Sequence, residues 1–416
     1  MTPPRWYLWV NIYESVYRSV MTRYVIEGAR VFDGEQLIGV RTVEVEGARI
    51  VAVGAPAPAA AERVDGSGAT LLPGLIDAHT HADLETLGHA LRFGVTTELD
   101  LLSFPQAMDA VRRAAAERTD IADVRSASMG LTAPGGHPTQ LRGDLNDPEL
   151  PTVARPEDAA RFVDERIAEG ADYIKVIIES GKTLGKDVPV VEEGILKAVV
   201  AAAHDRDRMV IAHALTIEAT RQALAAGVDG FAHLFIDGPC PPDLVEAFTA
   251  GGVFLTPTLN LLASLTGRHL GAGLARDSRV TGRLPQSWMN NLSSEFNTFP
   301  AGDFDAALAA VKAMHAAGVP ILAGSDANYH FGARGMAHGV SLHGELRLLV
   351  RAGLTPTEAL RAATSVPATT FGLEDRGRIT PGARADLLLV DGDPTSRIAD
   401  TLSIRDVWRS GSRTAR

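Results

Sequence analysis

Two imidazoles one residue apart, in His79-Thr80-His81, close the apolar run LLPGLIDAHTH at 71–81. If that run is a β-strand, side chains two apart leave the same face, so the pair can share one metal ion. Such a pair alone is weak evidence, because a histidine satisfied by its core neighbours is the ordinary explanation for any single one. Its company strengthens it: His213 falls in MVIAHAL (209–215), His233 in GFAHLFI (230–236), and Asp326 follows Gly324-Ser325 in VPILAGSDA (319–327). Imidazoles with one carboxylate suit Zn2+ or another first-row divalent ion, whereas Ca2+ and Mg2+ favour oxygen ligands. Lys175 sits in the apolar run YIKVII. A bare ammonium there is costly to bury and tends to lose its proton, so it requires a partner or a modification.

Those residues need a scaffold that brings distant runs to one place. Between the chain ends, apolar strand-like runs alternate with Ala-rich helical stretches, the pattern of a parallel sheet crossed over by helices. Eight such runs can be counted: 71–81, 94–102, 124–132, 172–180, 209–215, 230–236, 252–260 and 319–327. Eight βα units predict an α/β fold closed into a (β/α)8 TIM barrel, which gathers catalytic groups at its strand ends. Helix punctuation agrees with this: 157–169 stops at Gly170, 216–226 stops at Gly227, and Thr355, Pro356 and Glu358 spell a capped helix start. Residues 22–70 and 376–416 instead alternate short β-branched runs with glycine turns, and are read as two parts of one small β-sandwich-like domain around a barrel at 71–375. Residues 1–21 hold Trp6, Tyr7, Trp9, Tyr13 and Tyr17 and look unlike the rest, so they are read as an N-terminal extension, with a docking arm or part of a lid as alternatives. The connection at 261–303 is long, polar and rich in Gly and Asn, and is read as a lid or specificity loop.

Composition narrows the function classes. The 416 residues, 45% hydrophobic, can build a barrel plus an accessory domain. One cysteine, Cys240, rules out an intramolecular disulfide and reads as a structural thiol; the cytoplasm is the expected compartment. A formal charge of -11 without a basic run argues against nucleic acid as partner. No apolar segment is long enough for a membrane span, and Asn11, Glu14 and Arg18 interrupt any signal-peptide core. A small-molecule substrate is the expected partner, with homo-oligomerisation left open.

As a set, GLIDAHTH, GADYIKV, VIAHA, GVDGFAH, ILAGSDA and the tail from AGLTPTEALRAATSVPA to GRITPGARADLLLVDGDP resemble the amidohydrolase superfamily over nearly the whole chain. They are most similar to its imidazolonepropionase-like branch, which includes prolidase-like and Xaa-Arg/Lys dipeptidase-like enzymes and ochratoxin amidases. The resemblance implies two divalent ions, most simply Zn2+. His79, His81 and Asp326 would hold the more buried ion and His213 and His233 the more exposed one. Lys175, carboxylated by CO2, and a hydroxide would lie between them. It implies that the exposed ion polarises a carbonyl, the hydroxide attacks, and Asp326 carries the proton to the leaving nitrogen. His137, in TAPGGHPT, matches a GGH element of the branch and is assigned a substrate or oxyanion contact, with loop anchoring as the alternative. Tyr329, His330, Arg334 and His338 follow Asp326 and are assigned to substrate binding. Two departures from the branch suggest a reshaped pocket: Ala214 and Leu215 follow His213 where many relatives carry His or Tyr, and Ile177-Ile178-Glu179-Ser180 replaces a run of small residues.

The expected activity is hydrolysis of an amide or peptide-like C–N bond in a dipeptide, N-acyl amino acid or related molecule. A mononuclear cyclic-amide hydrolase or deaminase, with Lys175 structural, is the alternative. A non-catalytic binding protein is the remote one.

Overall fold

A computed structural model describes residues 23–139, 149–329, 332 and 334–414. The proposed extension at 1–21 lies outside the described residues. Seven of the eight expected runs contain parallel strands: β1 (Leu75–Thr80), β2 (Val95–Asp100), β3 (Asp123–Ser126), β4 (Ile174–Ile177), β5 (Val210–His213), β6 (Gly230–Phe231) and β7 (Phe254–Leu255). All but β3 are buried along their whole length, which accounts for their nearly continuous apolar spelling.

The ladders do not run unbroken round a ring. They form a sheet ordered β3-β2-β1 and another ordered β4-β5-β6-β7. Single parallel bridges link the pieces: Leu131 with Val176, Leu255 with Ile321, and Ala327 with Thr80. The eighth run therefore touches both neighbours without forming a regular strand. Its backbone explains this, because Asp326 has a φ of 53°, a left-handed conformation that takes the chain out of strand geometry. Gly324 is required beside it: a Cβ there would lie 2.4 Å from Thr256 Cγ2 and 2.9 Å from the His79 backbone nitrogen.

The run 71–81 holds two elements. Ala69–Pro73 joins a six-stranded sheet, and only Leu75–Thr80 belongs with the parallel strands. That six-stranded sheet mixes the chain ends, since Ala69–Pro73 pairs antiparallel with Leu387–Asp391 and parallel with Arg30–Phe32. A four-stranded sheet of Arg23–Glu27, Val43–Glu46, Arg49–Val53 and Glu62–Asp65 shares its core, where Tyr24, Ile26, Leu71, Leu387 and Trp408 are buried together.

The helix signals are realised as spelled. Thr216 Oγ1 caps Ile217–Ala226, which ends at Gly227 with φ 85°, and Thr355 and Glu358 complete a capping box. The segment 261–303 differs from the reading of a polar lid. It carries parts or all of three short helices, Leu259–Leu265, Leu270–Ala275 and Gln286–Leu292, with Leu262, Leu274, Trp288 and Leu292 buried. The second and third of these helices cover Phe93, Val340 and Leu402 in a shared apolar cluster, and the first packs into the main core. Trp288→Ala should therefore cost about 3–5 kcal/mol in denaturant unfolding, whereas an exposed lid residue would change stability by less than about 0.5 kcal/mol.

Candidate metal centre

Adjacent positions on β1 and the eighth run deliver the tightest group of donors. His79 Nε2 lies 3.1 Å and His81 Nε2 3.3 Å from Asp326 Oδ1. One ligand atom from each of the three residues falls within 4.8 Å of the others. The far side of each ring is occupied: His79 Nδ1 donates to the Ala232 carbonyl at 2.8 Å and His81 Nδ1 to the Leu102 carbonyl at 3.0 Å. A carbonyl oxygen only accepts, so both rings carry hydrogen on Nδ1 and present an Nε2 lone pair.

Asp326 is aimed by its neighbours. Its N–H donates to the His79 carbonyl at 2.9 Å, and Ser325 donates from N (2.9 Å) and Oγ (2.6 Å) to Asp77. Burial alone would raise the Asp326 pKa, but the flanking His79, His81 and His233 rings hold it well below the usual carboxylate range. Burial lowers the His79 pKa to about 4 and depresses that of His233 strongly, which keeps both imidazoles neutral, as metal ligands must be.

His233 continues the group. Its ring centroid is 4.7 Å from that of His79 and 4.6 Å from that of His213, and His137 stands 5.5 Å beyond His213. The result is a row of imidazoles running from His81 to His137. Lys175 and His213 sit on β4 and β5 two residues beyond Tyr173 and Ile211, and so on the same strand faces as those members of an apolar plug that Phe371 and Phe254 complete. Burial drops the Lys175 pKa to about 7 against the pull of the Asp326 and Asp100 carboxylates, so much of it is a neutral amine near pH 7. Four nitrogen ligands, one carboxylate and a neutral lysine fit a first-row divalent centre.

Of the residues assigned to substrate, His137 reaches the row, and its carbonyl accepts from Thr132 Oγ1 at 2.6 Å. The Tyr329 hydroxyl lies 3.4 Å from Ser103 Oγ, which donates to Asp100. Arg334 is exposed, and its carbonyl accepts from Ser264 Oγ at 2.6 Å. His330 lies outside the described residues. His338 is a correction. It is fully buried, with Nδ1 2.9 Å from Glu98 Oε1, and its ring edge meets Trp288 at a centroid distance of 5.7 Å. The ring is engaged with Glu98 inside the protein and stands apart from the row of imidazoles. Cys240 is half-buried, and burial raises its thiol pKa, as suits a structural thiol.

Sequence reading passed over Glu179 as a site residue. It is 2% exposed and accepts from His213 Nε2 at 3.3 Å. Burial would raise its pKa, but the hydrogen bond from His213, together with that from the Gly181 N–H, brings it below the usual value. The signal was available, because Glu179 interrupts an apolar run as Lys175 does.

Parallel strands crossed by helices, with histidines and an aspartate converging at strand ends, define an α/β fold with a candidate divalent-metal centre. The family model "Amidohydrolase family" matches residues 70–414, and the chain belongs to that family. An uncharacterized protein of Mycobacterium tuberculosis is 28% identical over 352 residues, 79% of this chain and 80% of its own length. The imidazolonepropionase of Mycolicibacterium smegmatis is 27% identical over 372 residues, 84% of each chain. Among solved structures, a Xaa-Pro dipeptidase with methionine in its active site superposes with a TM-score of 0.75 at 21% identity, covering 95% of this chain and 100% of that one. At that identity the likeness establishes the fold.

His338→Gln should leave Glu98 buried without its cation and cost about 3–5 kcal/mol in urea unfolding, with KM unchanged. Burial works to lower the His338 pKa, but the Glu98 charge and hydrogen bond raise it above the ordinary histidine value. The pair's contribution is thus complete below the unfolded histidine pKa and fades as pH rises through the raised one. Normal stability with a raised KM would restore a substrate role.

Proposed function

We propose that the chain is a binuclear metal-dependent hydrolase that cleaves an amide or peptide-like C–N bond of a small molecule. The observation that carries this is the convergence of His79, His81 and Asp326 with the His233 and His213 rings packed edge to face beyond them and a buried lysine nearby. Membership of the amidohydrolase family and likeness to a Xaa-Pro dipeptidase support it. The same reading takes the linked parallel strands as a closed (β/α)8 barrel at 71–375, with a small β domain from 22–70 and 376–416.

His79, His81 and Asp326 would hold one ion and His213 and His233 the other, most simply Zn2+. Lys175 would join them as a carbamate: its neutral Nζ bonds the carbon of CO2 and releases a proton, leaving a carboxylate-like anion. Divalent ions bound there supply Lewis acidity and make a water molecule acidic enough to react near neutral pH. Asp326 takes a proton from the attacking water and delivers it to the leaving amine nitrogen, so that water and amide become acid and amine. His137, 5.5 Å from His213 at the outer end of the row, would hold the substrate's carbonyl group, and Tyr329 would contact the substrate beside it.

A second reading, a mononuclear cyclic-amide hydrolase or deaminase, draws on the tightness of the His79, His81, Asp326 group and on the imidazolonepropionase relative. Elemental analysis separates the two: purification without chelators should give two ions per chain, and one ion with unmodified Lys175 would favour the second. Asp326→Asn should keep the fold and lose turnover by roughly 10²–10⁴-fold, and near-normal activity would remove it as proton carrier. Lys175→Ala should lower metal content and activity together; an active variant with two ions would sink the carbamate.

A further inference from the structure

The His213 ring is anchored differently from those of His79, His81 and His233. In His79 and His81 the Nδ1 side faces a carbonyl, and in His233 Nδ1 lies 2.8 Å from Thr258 Oγ1. In His213 it is Nε2 that is engaged, 3.3 Å from Glu179 Oε2. An ionised carboxylate only accepts, so Nε2 carries a hydrogen, and in the neutral ring that a metal ligand requires Nδ1 is left with the lone pair.

Glu179 is itself fixed. Its Oε1 accepts from the Gly181 N–H at 2.6 Å, and Oε2 also accepts from Thr183 Oγ1 at 3.2 Å. Both oxygens are therefore engaged within the protein. The loop that supplies these donors is held at two further points. Lys182 pairs with Asp237 at 2.9 Å, and Thr298, from the inserted helical segment, donates to the Thr183 carbonyl at 2.8 Å. Gly181 has φ 84°, and a Cβ there would collide with the Lys186 carbonyl at 1.6 Å, so the turn that aims its N–H at Glu179 depends on glycine. Glu179 is 2% exposed, so its carboxylate is compensated within the protein and not by bulk water.

We infer that Glu179 is a positioning residue for the second ion: it holds His213 as the Nε2–H tautomer and so makes Nδ1 the ligand atom. The inference rests on the two-ion reading above. Carboxylates behind metal-binding histidines set tautomer and ring orientation, and their loss typically weakens metal binding about 10–100-fold.

The test is Zn2+ titration against a competing chelator, with wild type, Glu179→Ala and Glu179→Gln compared. Glu179→Ala should weaken the second ion roughly 10–100-fold and leave the first within about twofold. Glu179→Gln, whose amide oxygen can still accept from Nε2–H, should recover most of the loss. Unchanged binding of both ions in Glu179→Ala, or equal weakening of both together with a lower Tm, would overturn the inference. If Glu179→Ala does not fold, 15N spectra of the metal-free wild type, with the His213 signals assigned through His213→Gln, decide it. Hydrogen on Nε2 is expected, and hydrogen on Nδ1 refutes it. A wild type that takes up one ion defeats the two-ion reading instead, and the tautomer still reports on Glu179 independently.

Discussion

The Asp77 carboxylate is the fixed point of the centre. It accepts from the N–H and hydroxyl of Ser325 and from the His79 N–H at 3.3 Å. One buried carboxyl group, its pKa raised to about 7 by burial and by the neighbouring Glu98, thus ties the first strand to the eighth run at the place where regular strand pairing is absent. Ladder hydrogen bonds align strands by repetition; here a side chain does so at one point, and it can hold a backbone that a strand could not contain. The left-handed turn at Asp326 is such a backbone, and it swings the carboxylate onto His79 and His81. The geometry of the donors follows from a residue that binds no metal in this scheme.

Burial shapes the other charged groups by the same logic. Glu98 and His338 neutralise each other, and Asp123 meets Arg376, Arg384 and Arg409 between the parallel strands and the chain-end sheet. Charges removed from water persist where an opposite charge or a hydrogen bond compensates for lost hydration. Lys175 responds to burial in another way, by tending to give up its proton, and that suits it to covalent chemistry.

Much of this was legible in the sequence because strand periodicity carries it. His79 and His81 share a face by parity, and Lys175 and Glu179 each break an apolar run visibly. The eighth run announced Asp326 but not its left-handed turn, which depends on Asp77, 248 residues earlier. His338 looked like a loop residue because its partner Glu98 lies 240 residues away and leaves no local trace. The helices in 261–303 escaped notice because they are short and none has a side-chain cap, so neither period nor punctuation marked them.

The shared sheet of the chain ends bears on how the molecule is made. Arg30 donates to the carbonyl of Gly392, a contact spanning 362 residues, and Ala69–Pro73 waits for Leu387–Asp391. During synthesis the early strands leave the ribosome with an unpaired edge that the nascent chain cannot cover until Leu387–Asp391 has emerged. Contacts so distant in sequence form late, and unpaired edges invite association with other chains in the interval. Completing that sheet is therefore a late step, open to the chain only after the residues of the centre, which lie between its two halves in sequence, have been made.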